Sequence, residues 1–321
     1  MNSPKGASPF LFSIAGAALL AVTSVSTPNH AAAATAATTA AEVTAPSPLS
    51  NKKFEDSHTL TDAKLKAEAG SLSQFSARAS LSYYGPTLGN LSDPEQPNPD
   101  GTVGNYSQAL KGSVSMRYRL SPDSTISGGS GISFIRPFHG WTRTDANNPF
   151  ISYDFSNRFG RLQMRNSAKV TASTIPNYTA IGQFGGVSWD NSLIYNLGRS
   201  GLAFSFDTTF DYWLFHRPHR PGSPRNGGDG RASQYMLSWY PGLKYNVNDK
   251  LSFNTSAGFS LYNPRGSSDP FHLLNRTASL RLGMGYAITR DIYFAPYLQS
   301  FVTQLTLDMT TVNVSGVFSV F

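Results

Sequence analysis

Residues 202–214 read LAFSFDTTFDYWL and residues 276–288 read RTASLRLGMGYAI. In the first, Leu202, Phe204, Phe206, Phe210, Tyr212 and Leu214 fall on one phase of a two-residue repeat, while Ser205, Asp207, Thr209 and Asp211 fall on the other. In the second, Ala278, Leu280, Leu282, Met284, Tyr286 and Ile288 alternate with smaller or polar residues, including Arg281. A period of two marks a β-strand with two unlike faces. The same pattern recurs at 72–84, 108–120, 125–136, 149–157, 161–173, 184–197, 234–246, 251–262, 292–302 and 310–321, with 125–136 and 292–302 the faintest. That makes twelve candidate strands, and no apolar stripe of helical period competes with them.

Connection length supplies a second signal. Short connections at 121–124, 158–160, 198–201, 246–249 and 289–291 alternate with longer ones at 85–107, 137–148, 174–183, 215–233, 263–275 and 303–309. The alternation of faces alone fits a soluble barrel or a membrane barrel, which point the apolar face in opposite directions. Strands of about 10–14 residues are long enough to cross a bilayer when tilted, and short turns on one side with long loops on the other suit a membrane barrel. Aromatic residues near strand ends, among them Tyr83, Tyr84, Tyr118, Tyr195, Trp213, Tyr245, Tyr286 and Tyr293, read as interface girdles. The charged fraction of 14% is low for a chain of 321 residues, as expected if half of each strand faces lipid. The absence of Cys excludes disulfide scaffolds, thiolate metal sites and cysteine nucleophiles.

The N-terminal part differs. Residues 1–33 contain Lys5, an apolar run from Phe10 to Val25 and small residues at 31–33, the parts of a cleaved secretory signal peptide. Residues 34–71 follow as an Ala/Thr/Pro linker and a charge-rich stretch, 51–70, expected to form one short helix with Thr59 or Thr61 as N-cap and Gly70 as its stop. That helix is either a solvated leader or a small plug entering a pore.

With its signal peptide, its long and short connections and a last strand, TTVNVSGVFSVF, ending in Phe321, the chain resembles a Gram-negative outer-membrane β-barrel protein of porin-like type over residues 72–321. The resemblance implies a closed antiparallel all-β transmembrane barrel of about 12 strands (10–14 possible), with short periplasmic turns and long extracellular loops. It also implies outer-membrane lipid, lipopolysaccharide and the outer-membrane assembly machinery as partners, the last reading a C-terminal signal at Gly316, Phe318 and Phe321. Ser319 departs from that signal, standing where an apolar residue is usual.

With the apolar phase facing lipid, the pore-lining basic residues are Arg78, Lys111, Arg117, Arg119, Arg161, Arg165, Lys169, Lys244 and Arg281, and the acidic ones Asp154, Asp190, Asp207 and Asp211. Nine basic against four acidic groups account for part of the net charge of +7 and point to a channel for small hydrophilic solutes with anion preference, anionic or sugar solutes among them. The same charges could instead pair with one another and close the barrel. The loop containing His216, Arg217, His219, Arg220, Arg225 and Arg231 is basic and suits lipopolysaccharide or a surface ligand, so an adhesive or structural barrel is the second expectation. A rim-located hydrolase is the third, with His139 or His272 meeting Asp145 or Asp269. No motif calls for a cofactor, a metal or nucleic acid, and no catalytic residue is assigned.

Overall fold

The computed structural model describes residues 51–55, 60–97, 103–198, 200–216 and 229–320. Twelve strands form its wall: β1 (Phe75–Thr87), β2 (Ala109–Ser121), β3 (Ser124–Ile135), β4 (Arg143–Phe159), β5 (Leu162–Ala172), β6 (Gln183–Asn196), β7 (Leu202–Phe215), β8 (Asp229–Asn246), β9 (Leu251–Arg265), β10 (Ser279–Thr289), β11 (Ile292–Phe301) and β12 (Thr311–Val320). Each pairs antiparallel with its sequence neighbours, and β1 pairs with β12 from Ala77↔Val320 to Tyr84↔Asn313, so the sheet is closed. Closure is what a wall in lipid requires, because an open edge would leave N–H and C=O groups with no partner.

The faces are inverted relative to a soluble protein. Met116, Ile151, Phe204, Phe253 and Leu282 point outward and are exposed, while Ser115, Arg117, Ser152, Asp154 and Ser252 are buried inside. All twelve strands read from the sequence are present, including the two faint ones. Two-residue corners such as Pro122–Asp123 and Arg290–Asp291 lie at one end of the barrel and the longer connections at the other.

Several boundaries differ from expectation: β8 starts at Asp229 and not 234, β9 runs on to Arg265, and β10 starts at Ser279 and not 276. β4 begins at Arg143, so 143–148, read as loop, extends the wall. That part pairs with the last residues of β3 beyond the apolar belt, where water on the outer face removes the pressure for alternation. The 85–107 connection holds its own hairpin, Glu95–Pro97 with Val103–Ser107. At the other end, β1 starts at Phe75 rather than residue 72. Residues 52–54 instead bond to 72–74, with Phe54 N donating to Leu72 O at 2.9 Å and Gln74 N to Lys52 O at 2.7 Å. The girdle reading also needs correction: Tyr84, Trp213 and Tyr293 fall on the lumenal phase, Tyr84 and Trp213 lining a cavity and Tyr293 being buried.

Gly112 marks a close approach of β1 and β2. A Cβ there would stand 1.8 Å from the Ser80 carbonyl oxygen and 2.9 Å from Leu81 Cα. Gly112→Val therefore forces these two strands apart, a backbone shift at or above the ~1–3 kcal/mol usual for overpacking. The expected outcome is a sharp loss of the fast-migrating folded band on unheated detergent gels.

Candidate functional site: the plugged lumen

The lumen is divided by a short helix, α1 (Ala63–Ala69). Its N-cap is Asp62, whose carboxylate accepts from Lys64 N at 3.0 Å and Leu65 N at 3.2 Å. Asp62 and not Thr61 fills that position, and Thr61 N and Asp62 N both donate to Gln163 Oε1 of β5, at 2.6 and 2.9 Å; Thr59 lies outside the described residues. Gly70 ends the helix as expected, at φ +76°.

Contacts from many sides of the wall place α1 inside the barrel. Asp62 pairs with Lys244 of β8, both side chains buried. Lys64 pairs with Asp207 of β7 at 3.0 Å, and Glu68 with Arg165 of β5 at 3.6 Å. Arg119 of β2 caps the C-terminal end, Nε donating to Ser71 O at 2.9 Å and Nη2 to Ala69 O at 2.9 Å, where a cation suits the orphan carbonyls and the helix dipole. Partial burial penalises the Lys64 charge, yet Asp207 and Glu68 outweigh that and raise its pKa above the ordinary lysine value. Leu60 and Leu65 pack on Ile194 and Ala203, and Ala67 packs on Ala287 and Tyr293.

Above the helix lies a charged layer. Asp154 of β4 is shared by Arg165 and Arg117, the latter at 3.6 Å, and Arg78 adjoins this group. From it a polar cavity of about 910 Å³ extends toward the long loops, bordered by Arg78, Lys111, Lys169, Asp190, Asp211 and Trp213. A smaller cavity of about 320 Å³ opens at the short-turn end, with Asp62, Gln163 and Lys250 in its lining.

The residues assigned to the pore from the sequence thus separate into groups. Arg117, Arg165 and Lys244 are in ion pairs, and Arg119 is committed to carbonyls of the plug. Arg281 donates to Gln299 at 3.1 Å and stacks on Tyr240, 4.7 Å from its centroid. Arg161 does not line the lumen: it is exposed in the two-residue turn between β4 and β5, one step past the strand whose phase it follows. Arg78, Lys111 and Lys169 face the large cavity. Of the acids, Asp154 and Asp207 are paired, Asp190 accepts from Thr209 at 2.9 Å, and Asp211 borders the cavity.

Two basic residues escaped the sequence reading: Arg265 lies at a strand end assigned to loop, and Arg276 fell on the apolar phase of 276–288, whereas the strand starts only at Ser279. Arg265 is fully buried, donating to Ile181 O at 2.6 Å and lying 4.0 Å from the Phe215 ring centroid, and Arg276 borders the large cavity. A signal for the plug was present: Ile194, Ala203, Ala287 and Tyr293 are apolar residues on an otherwise polar phase.

In the basic loop, His216 stacks on Phe184 at 4.5 Å. Arg217, His219, Arg220 and Arg225 lie outside the described residues, as does the side chain of Arg231. Asp145 pairs with Arg143 at 3.0 Å in the first residues of β4, and Asp269 accepts from Phe271 N at 2.8 Å within its own loop, so both carboxylates proposed for a rim site are engaged by near neighbours in sequence. At the C-terminal signal, Phe318 packs edge-on against Phe294 at 5.0 Å, Gly316 shares its outward phase, and Phe321 is outside the described residues. Ser319 falls on the inward phase and is buried.

No family model and no curated protein matches the sequence. Among solved structures, the chain is similar to the COG4313 outer membrane channel from Pseudomonas putida F1, at 10% identity over 79% of this chain and 98% of that one, with a TM-score of 0.48. It is also similar to the NanC porin, at 10% identity over 76% and 100% with a TM-score of 0.43. A third is outer membrane phospholipase A from Escherichia coli, at 12% over 75% and 89% with a TM-score of 0.33. Likeness at this level assigns no function. The pairing, the outward apolar face and the lumenal helix by themselves define a plugged twelve-stranded transmembrane β-barrel.

Asp62→Ala removes both a helix cap and the partner of a buried lysine. Such losses cost about 0.5–2 and about 3–5 kcal/mol respectively. Hydrogen exchange is expected to show faster exchange of the Lys64 and Leu65 amides while the amides of β1 to β12 keep their protection.

Proposed function

We propose that this protein is an exported outer-membrane channel for passive diffusion of small hydrophilic solutes, with anion preference, and that α1 closes its short-turn end in the state described. The supporting observation is the large cavity, where Arg78, Lys111 and Lys169 make no ion pair within 4 Å among the described residues. A cation in a water-filled, low-dielectric-walled passage raises the local concentration of anions. The paired charges do different work: Lys244, Asp207 and Arg165 hold the plug, and Arg117 and Asp154 pair in the layer beside it, so the internal pairing weighed against a channel is concentrated at and next to α1.

Export by cleavage near residues 31–33 supplies the localisation in this reading, with outer-membrane lipid, lipopolysaccharide and the assembly machinery as partners. Exposed apolar side chains on the long loops, Phe138, Trp141 and Phe271, favour a second reading in which these loops bind a surface partner.

Planar-bilayer recording tests the channel. Current with a reversal potential on the anion side is expected, with the preference falling toward unity in the Arg78→Ser/Lys111→Ser/Lys169→Ser variant. Deleting residues 60–70 should raise unit conductance. Membranes sealed to ions with both the full chain and the deletion variant would overturn the proposal.

A further inference from the structure

Among the described residues, the outward face of the barrel carries a polar island in its apolar belt. Asn166 of β5, Asn191 of β6 and Thr208 of β7 stand side by side in a single register row. Along the same strands, the next outward row on one side is Met164, Leu193 and Phe206, and on the other Ala168, Trp189 and Phe210. The island is therefore surrounded by apolar side chains at the middle of three strands whose outer face meets lipid.

Asn191 Nδ2 donates to Asn166 Oδ1 at 2.6 Å, which satisfies one donor and one acceptor. A carboxamide has two N–H donors and an oxygen acceptor, so this pair retains further donors and the Asn191 oxygen. Hydrocarbon offers nothing to either. Other outward polar side chains are committed to their own sheet: Ser130 donates to Asn147 O at 2.8 Å, Thr255 to Arg281 O at 3.1 Å, and Asn157, at the turn end of β4, accepts from Arg158 N at 2.7 Å.

Polar side chains at such a depth are costly and in membrane proteins turn toward protein partners. The partner must present both donors and acceptors at the same depth, ringed by apolar surface. Every copy of a barrel inserts in the same orientation, so a two-fold axis along the membrane normal sets this row opposite itself at equal depth. The island is self-complementary, as an isologous interface demands. The small Ala168 beside Asn166 permits close approach.

We propose that the protein dimerises with a second copy of itself through the outer face of β5, β6 and β7, centred on Asn166 and Asn191. This rests on the transmembrane fold and not on the channel reading.

The chain contains no Cys, so single cysteines report contacts cleanly. Full-length protein carrying Ala168→Cys, and separately Val314→Cys on the opposite wall at β12, is reconstituted in lipid vesicles and treated with a membrane-permeant bismaleimide. Folding is checked by the shifted band on unheated gels. Ala168→Cys is expected to give a band at twice the monomer mass and Val314→Cys is not, and adding Asn166→Leu/Asn191→Leu should abolish that band while the barrel remains folded. Equal crosslinking at the two positions, no crosslinking at Ala168→Cys, or a band unaffected by the leucine pair would each overturn the proposal. If the double variant does not fold, Asn166→Leu alone, leaving Asn191 without its bonded neighbour, is read in the same way.

Discussion

Pairing of β1 with β12 is the constraint on which the rest depends. In lipid the backbone has no water to fall back on, so the first and last strands must find each other across some 240 residues of chain. Once the sheet closes, one phase of every strand is committed to hydrocarbon and the other to the lumen. Apolar residues then belong outside, and Arg, Lys and Asp can be concentrated inside because water and opposite charges are available there.

A lumen lined in this way has a use for a charged segment. The stretch before β1 cannot fold alone, since seven helical residues are below the length at which a helix is stable by itself. Inside the barrel it gains a cap at each end from the wall, Gln163 on the first amides and Arg119 on the last carbonyls. Ion pairs of unlike weight hold it. The half-exposed Lys64–Asp207 pair contributes little, whereas the buried Lys244–Asp62 pair would leave an uncompensated charge if either partner were lost. The 52–54 segment, bonded to 72–74, tethers the helix at both ends to the turn rim.

The strands were readable because alternation is enforced locally, residue by residue, wherever one face meets lipid. It failed where that pressure stops: at 143–148, where β4 rises past the apolar belt, and at Arg161, one residue beyond the end of its strand. Tyr84, Trp213 and Tyr293 were misread because position near a strand end was used in place of phase. The choice between leader and plug had only an indirect local sign, the apolar Ile194, Ala203, Ala287 and Tyr293 on a polar phase, because the contacts that decide it join residues 102 and 182 positions apart, Thr61 to Gln163 and Asp62 to Lys244.

Read alone, the chain establishes a barrel of about twelve strands, which phase of each is apolar and which end carries the long loops, because these are properties of neighbouring residues in a chain half-dissolved in lipid. Only the tertiary structure decided which lumenal charges are spent holding α1 and which remain facing the cavity. It also decided that Asn166 and Asn191 share one spot on the outer face. Both depend on register around a closed sheet, and register is set by the joint fit of twelve strands, with no single strand encoding it.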